Sequence, residues 1–174
     1  MSGFNKVTEW IMRFAVINII WLLFNLPTVL LLVAMFITGH LDYQAYYLLP
    51  LVTLAPILFF PSTAAMFACA REWVIDKNYD NKLIRSFLRF YRENYRKSLI
   101  GGLLLTVVWA TWYFDFNYFK DQNTTLMFTF IILGIILLAY TINFFSVIVH
   151  FDITLIKVFK NTFAVTLGSP VLLI

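Results

Sequence analysis

Four stretches of this chain carry no Asp, Glu, Lys or Arg: residues 14–38, 47–70, 98–114 and 125–149. A helix that crosses a bilayer needs about 20 consecutive apolar residues. Inside lipid the backbone must satisfy its own hydrogen bonds, so runs of this kind predict helices rather than open strands. A further apolar run opens near Phe163 and continues to Ile174. It is too short to span. The pattern therefore predicts an all-α fold, a polytopic helical membrane bundle with four complete spans and the start of a fifth. No linker-like stretch divides the chain, so residues 1–174 read as one integral membrane domain, truncated at its C-terminus.

Within the spans the polar and helix-breaking positions are few. The first contains Asn18, Asn25 and Pro27, and the second contains Pro50, Pro56 and Pro61 followed by Ser62 and Thr63. Asn in a span usually hydrogen-bonds to a neighbouring helix. Pro27 predicts a kink that frees a backbone carbonyl. Asn18 and Asn25 are thus candidate intramembrane polar contacts, or else a polar substrate site. Gly101 and Gly102 near the start of the third span suit close helix packing. Trp109 and the run TWYFDFNYF at 111–119 predict an interfacial aromatic belt, a stronger reading than a sugar-stacking platform.

The charges add direction. Of 13 basic residues, only Lys120 falls in the connection between the third and fourth spans. Lys6 and Arg13 precede the first span, Lys157 and Lys160 follow the fourth, and eight more fill residues 71–97. By the positive-inside rule the N-terminus and that long basic loop are cytoplasmic. A hydrophobic content of 61% with only 13% charged residues, and a mean hydropathy of +0.83, place the chain far from soluble domains. The net charge of +4 then points to anionic lipid headgroups rather than to nucleic acid. Cys69 is the single cysteine, which excludes an internal disulfide.

The basic loop has a helical period in its second half, KLIRSFLRFYRENYRK at 82–97. Leu83, Ile84, Phe87, Leu88, Tyr91 and Tyr95 fall on one face, Lys82, Arg85, Arg89, Arg92, Glu93 and Arg96 on the other, and Phe90 between them. Such a segment predicts an amphipathic cytoplasmic interfacial helix lying in the headgroup plane. A docking helix for a protein partner is the second reading. The same segment has an echo: LRFYRENYRKSL at 88–99 aligns without gaps on IKVFKNTFAVTL at 156–167. That echo admits an internal repeat, or convergence of two basic connectors on one side of the membrane.

Catalytic patterns are missing from the sequence. It holds no GxSxG, HExxH, CxxC or phosphate-cradling glycine loop. His150 and Asp152 flank Phe151, but two ligands do not define a metal site, and an interfacial cap is the simpler reading. No ionisable residue lies deep in a span, which counts against a proton-coupled carrier. No cofactor is expected.

WLLFNLP at 21–27, PSTAAMFACAREWV at 61–74 and SFLRFYRENYRKSL at 86–99, in that order and spacing, resemble the YesL family of bacterial integral membrane proteins. NTFAVTL at 161–167 is similar to that family's late cytoplasmic connector. The resemblance implies a multi-pass protein of the bacterial cell membrane, with a domain of unknown function and a genomic link to carbohydrate uptake and polysaccharide breakdown. It implies no catalytic residues.

The expectation is a non-enzymatic accessory protein of a carbohydrate uptake system of the ABC type. Its aromatic face Phe87, Tyr91 and Tyr95 would rest on lipid or a permease. Arg85, Arg89, Arg92 and Arg96 would meet headgroups or an acidic surface of a permease or ATPase. The alternative is an autonomous transporter or channel for a small neutral solute, sited at Asn18, Asn25 and the proline-rich second span.

Overall fold

The computed structural model describes residues 3–38, 44–75, 83–150 and 153–168. Helices α1 (Gly3–Phe24) and α2 (Leu26–Thr38) come first, followed by α3 (Gln44–Leu54), a π-helical turn (Ala55–Phe59) and α4 (Phe60–Ile75). Then come α5 (Leu83–Phe119), α6 (Thr124–His150) and α7 (Leu155–Gly168). The described residues form helices and short connections, with no strand. Four segments are long and apolar enough to cross a membrane: Val7–Phe24, Tyr46–Ile75, Leu83–Phe119 and Thr124–His150. The chain is an all-α, multi-pass membrane protein.

The first apolar stretch is two helices rather than one. Pro27 has no N–H to return to the carbonyl of Leu23, so the ladder is interrupted there. It resumes around the break: the Asn25 N–H donates to the Trp21 carbonyl at 3.0 Å, and the Val29 N–H to the Asn25 carbonyl at 2.8 Å. The outcome is a kink at Asn25. α2 alone has 13 residues, about 20 Å at 1.5 Å per residue, short of a hydrocarbon core of about 30 Å.

The second span absorbs its prolines without coming apart. Around Pro56 and Pro61 the helix widens by one residue, and the Phe60 N–H reaches back to the carbonyl of Ala55. Hydroxyls satisfy carbonyls in that loosened turn. Ser62 Oγ donates to the Leu58 carbonyl at 2.6 Å, and Thr63 Oγ1 to the Phe59 carbonyl at 2.7 Å. This is how membrane helices tolerate proline: nearby side chains and local π geometry re-satisfy the freed groups.

The basic connector holds the largest departure from expectation. Residues 83–97 are not a separate helix lying across the membrane surface. They are the first turns of α5, a single helix of 37 residues and about 55 Å that runs on through the third span. Nothing between Leu83 and Ser98 breaks a helix. The Gly101–Gly102 pair does not break it either, because both glycines sit under aromatic rings. A Cβ on Gly102 would meet Phe60 at 2.5–2.8 Å, and a Cβ on Gly101 would strike Phe144.

Two core clusters hold the helices together. One joins Phe60, Ala64 and Ala68 of α4, Leu105 of α5, Phe144, Phe145 and Ile148 of α6, and Val158 of α7. The other joins Ile17 and Ile20 of α1, Ala65, Cys69 and Trp73 of α4, and Leu83 and Phe87 of α5. The expected aromatic belt is also part of the packing: Trp112 stacks on Phe116 at 5.5 Å, and its indole N–H donates to the Phe130 carbonyl at 2.8 Å. α7 begins at Leu155, eight residues before the apolar run near Phe163, and takes in the basic echo. The echo has a structural counterpart. Ser98 and Thr166, at equivalent places in the two copies, are both buried, and Arg92 and Lys160 are both exposed.

Candidate functional site at the basic end of the bundle

Of the apolar face expected on the connector, the chain itself covers Leu83, Phe87 and Tyr91, while Ile84 and Leu88 stay exposed. Phe87 is fully buried (0% exposed) against Ile17, Ile20 and Trp73. The ring of Phe24 lies 5.3 Å from Phe87 and 4.9 Å from Tyr91, and Tyr91 lies 5.5 Å from Tyr95. Tyr91 and Tyr95 are half-buried. The expectation that Phe87, Tyr91 and Tyr95 rest on lipid or a permease is thus corrected. Helix α1 is the surface that Phe87 and Tyr91 meet, and Tyr95 packs on Tyr91 of its own helix. Helical periodicity identifies an apolar face but not the partner that covers it.

The opposite face stays open. Arg85, Arg89, Arg92 and Arg96 are exposed along one side of α5. Arg89 pairs with Glu72 of α4 at 2.7 Å, and its guanidinium lies 4.6 Å from the ring centre of Phe90. The i, i+4 and i, i+7 spacing of Arg85, Arg89, Arg92 and Arg96 makes a row about 17 Å long at 1.5 Å per residue.

A polar cavity of about 540 Å³ opens beside that row, between α4, α5 and α6. Arg71 enters it from α4, Glu93, Asn94 and Lys97 from α5, and His150 from the last turn of α6. Phe90, Ala68 and Ile148 supply apolar wall. The Arg71 guanidinium donates to the carbonyl of Val149. That carbonyl is one of the last four of α6, which have no partner within their own helix. Asn94 Nδ2 donates to the Phe90 carbonyl at 3.0 Å. Sequence reasoning counted Arg71 and Lys97 among the topology-setting charges and read His150 as a cap. The i, i+3 spacing of Asn94 and Lys97 placed those two on one face, but nothing in the sequence brought Arg71 and His150 to them.

The two asparagines of the first span part company. Asn25 is 1% exposed. Its amide donates to Ser62 Oγ at 2.7 Å and to the Trp21 carbonyl at 2.9 Å, while the Trp21 indole donates to Thr63 Oγ1 at 3.0 Å. Asn25 Oδ1 and Thr28 Oγ1 are buried without a hydrogen-bond partner. Asn18 is exposed and bonds back to the Phe14 carbonyl of its own helix at 2.8 Å. The pair therefore does not form one site. Asn25 continues the inward line from Ile17 through Trp21, and Asn18 lies one position off it. Among the described residues no three His, Cys, Asp or Glu side chains gather as metal ligands do.

The model of a family described as "Protein of unknown function, DUF624" matches residues 14–116, well over half of the chain. The chain belongs to the DUF624 family. That match runs from α1 through almost all of α5, so it takes in the kink at Asn25, the π turn and both faces of the basic helix segment. Two uncharacterized proteins from Bacillus subtilis (strain 168) are similar over most of this chain. YesL is 25% identical over 170 residues, covering 97% of this chain and 69% of its own length. YteU is 26% identical over 151 residues, covering 84% of this chain and 56% of its own length. This DUF624 chain therefore spans little more than half the length of the second relative. No solved structure matches it.

Proposed function

We propose that this chain is a non-enzymatic accessory membrane protein that docks onto a partner through the outward arginine row of α5, on the cytoplasmic side. One observation supports this reading above the others: Phe87 and Tyr91 are covered by α1, so Arg85, Arg92 and Arg96 stand on a helix already anchored along its apolar side. A surface-lying helix spends its apolar face on acyl chains. Here Phe87 and Tyr91 pack on α1, and Ile84 and Leu88 alone stay exposed at the edge of that face. A rigid row of guanidinium groups suits carboxylates on a protein surface, which Arg binds through a planar fork of donors. The partner class, the permease or ATPase of an ABC-type carbohydrate uptake system, follows from the family resemblance.

A photo-crosslinking residue at Arg92 tests the reading in native membranes with the full-length protein. Tyr91 is the wrong place for it, because that ring faces Phe24. Specific adducts to a permease or ATPase are expected. Adducts to lipid alone overturn the docking role.

The competing role, a carrier for a small neutral solute at Asn18 and Asn25, has less support. The amide of Asn25 is engaged with Ser62 and the Trp21 carbonyl, and Asn18 points outward. Sugar flux through liposomes holding the purified protein would reinstate it.

A further inference from the structure

We propose that the cavity lined by Arg71, Asn94, Lys97 and His150 binds a phosphate ester carrying a single negative charge. The cavity is distinct from the docking row of α5, because Phe90, Glu93, Asn94 and Lys97 line it beside that row and none of the row's four arginines does.

Position is the first argument. Arg71 directly follows the charge-free stretch 47–70, Lys97 directly precedes 98–114, and His150 directly follows 125–149. The chain thus crosses from apolar to basic at three separate places, and the fold brings all three to one cavity. For helices embedded over those stretches, that is the depth of lipid phosphates. Basic pockets between membrane helices at this level are a recurrent way to hold lipid headgroups.

Charge is the second argument. Among the described lining residues, Arg71 and Lys97 contribute two positive charges, and Glu93 offsets one of them. The lining therefore suits one negative charge better than two. The Arg71 guanidinium has five N–H donors, and its bond to the Val149 carbonyl fixes it at the rim without exhausting them. Arg and Lys together give a forked and a point-like donor, a common combination for phosphate.

Shape is the third. A volume of about 540 Å³ falls in the range of roughly 300–1,000 Å³ typical of small-molecule sites. Phe90, Ala68 and Ile148 offer apolar wall to the carbon skeleton of an ester, and Glu93 offers an acceptor to its hydroxyl or ammonium group.

The test uses the full chain purified in a neutral detergent and titrated with phosphatidylglycerol in mixed micelles, followed by native mass spectrometry. Arg71→Gln combined with Lys97→Gln is expected to weaken binding by about tenfold or more, since each removes a charge-assisted hydrogen bond. Lys97→Gln alone should give part of that loss, and it leaves the Arg71–Val149 contact in place. Glu93→Gln should tighten binding, a change of opposite sign that damage to the fold does not produce. Lys160→Gln, an exposed change on α7, should have no effect. Competition by glycerophosphoglycerol, the soluble diester with the same single charge, identifies a soluble ester as the ligand, and its failure to compete identifies a lipid. Equal binding by the wild type and the double variant overturns the proposal, as does an equal loss in Lys160→Gln.

Discussion

Asn25 donates its side-chain amide to Ser62 Oγ at 2.7 Å, across the two places where the membrane helices depart from regular geometry. One partner sits at the kink before Pro27, and the other is the residue after Pro61, beside the π turn. Each irregularity frees a polar group, and the two irregularities face each other.

This contact should carry measurable stability. Hydrogen bonds between membrane helices average about 0.6 kcal/mol and reach about 1.7. Asn25→Ala is expected to cost roughly 1 kcal/mol, and Asn18→Ala close to nothing. Unfolding of both variants in detergent, read by circular dichroism, decides the matter. An Asn18 variant as unstable as the Asn25 variant would count against this assignment of their roles.

Phe87 and Ile84 are three residues apart on α5, yet the fold separates them completely, at 0% and 61% exposed. Phe87→Ala should cost about 3 kcal/mol or more, in the range for truncating a buried aromatic. Ile84→Ala should cost well under 1 kcal/mol, as surface changes do. Equal effects would mean that the segment lies on lipid after all.

Gly102 is closed in by Phe60, whose Cβ and Cγ would lie 2.7 and 2.5 Å from an added methyl. The Cβ of Phe60 moves only with its backbone, so the two helices must part. Gly102→Ala is expected to lower stability by about 1–3 kcal/mol, the usual cost of overpacking. Gly168→Ala, where nothing lies within 4 Å, serves as the reference and should be neutral or mildly stabilising. Thermal shift assays on both variants would show the difference.

Cys69 is the single cysteine and is 0% exposed in the cluster with Ile17, Trp73 and Phe87. The folded protein should resist a maleimide reagent, and Phe87→Ala should speed labelling by opening that cluster. Cysteine placed at Arg92 in a Cys69→Ala background should label within minutes. Rapid labelling of the wild type would place α1 away from α4 and α5.

The apolar runs were legible because hydrophobic length and charge exclusion are properties of the chain itself, and a bilayer reads them almost directly. The kink at Pro27 was legible for a similar reason: a missing N–H is local chemistry. Although Ile84 and Leu88, which the period assigns to the apolar face, are exposed, the two faces of residues 82–97 were visible in outline in their period. The environment of the apolar face was not. A stripe of Phe87, Tyr91 and Tyr95 looks the same from sequence whether lipid, a partner or α1 covers it. Periodicity carries no information on distant segments.

By itself, then, the sequence determined where helices form, where they bend, and that nearly all basic charge gathers at one end. The tertiary structure decided what that charge surrounds. Arg71 lies 26 residues before Lys97 in the chain, and His150 lies 53 residues after it. Their convergence on one cavity depends on how α4, α5 and α6 pack. That packing is set by Gly101 and Gly102 against Phe144 and Phe60, a fit of shapes between segments that no local pattern encodes.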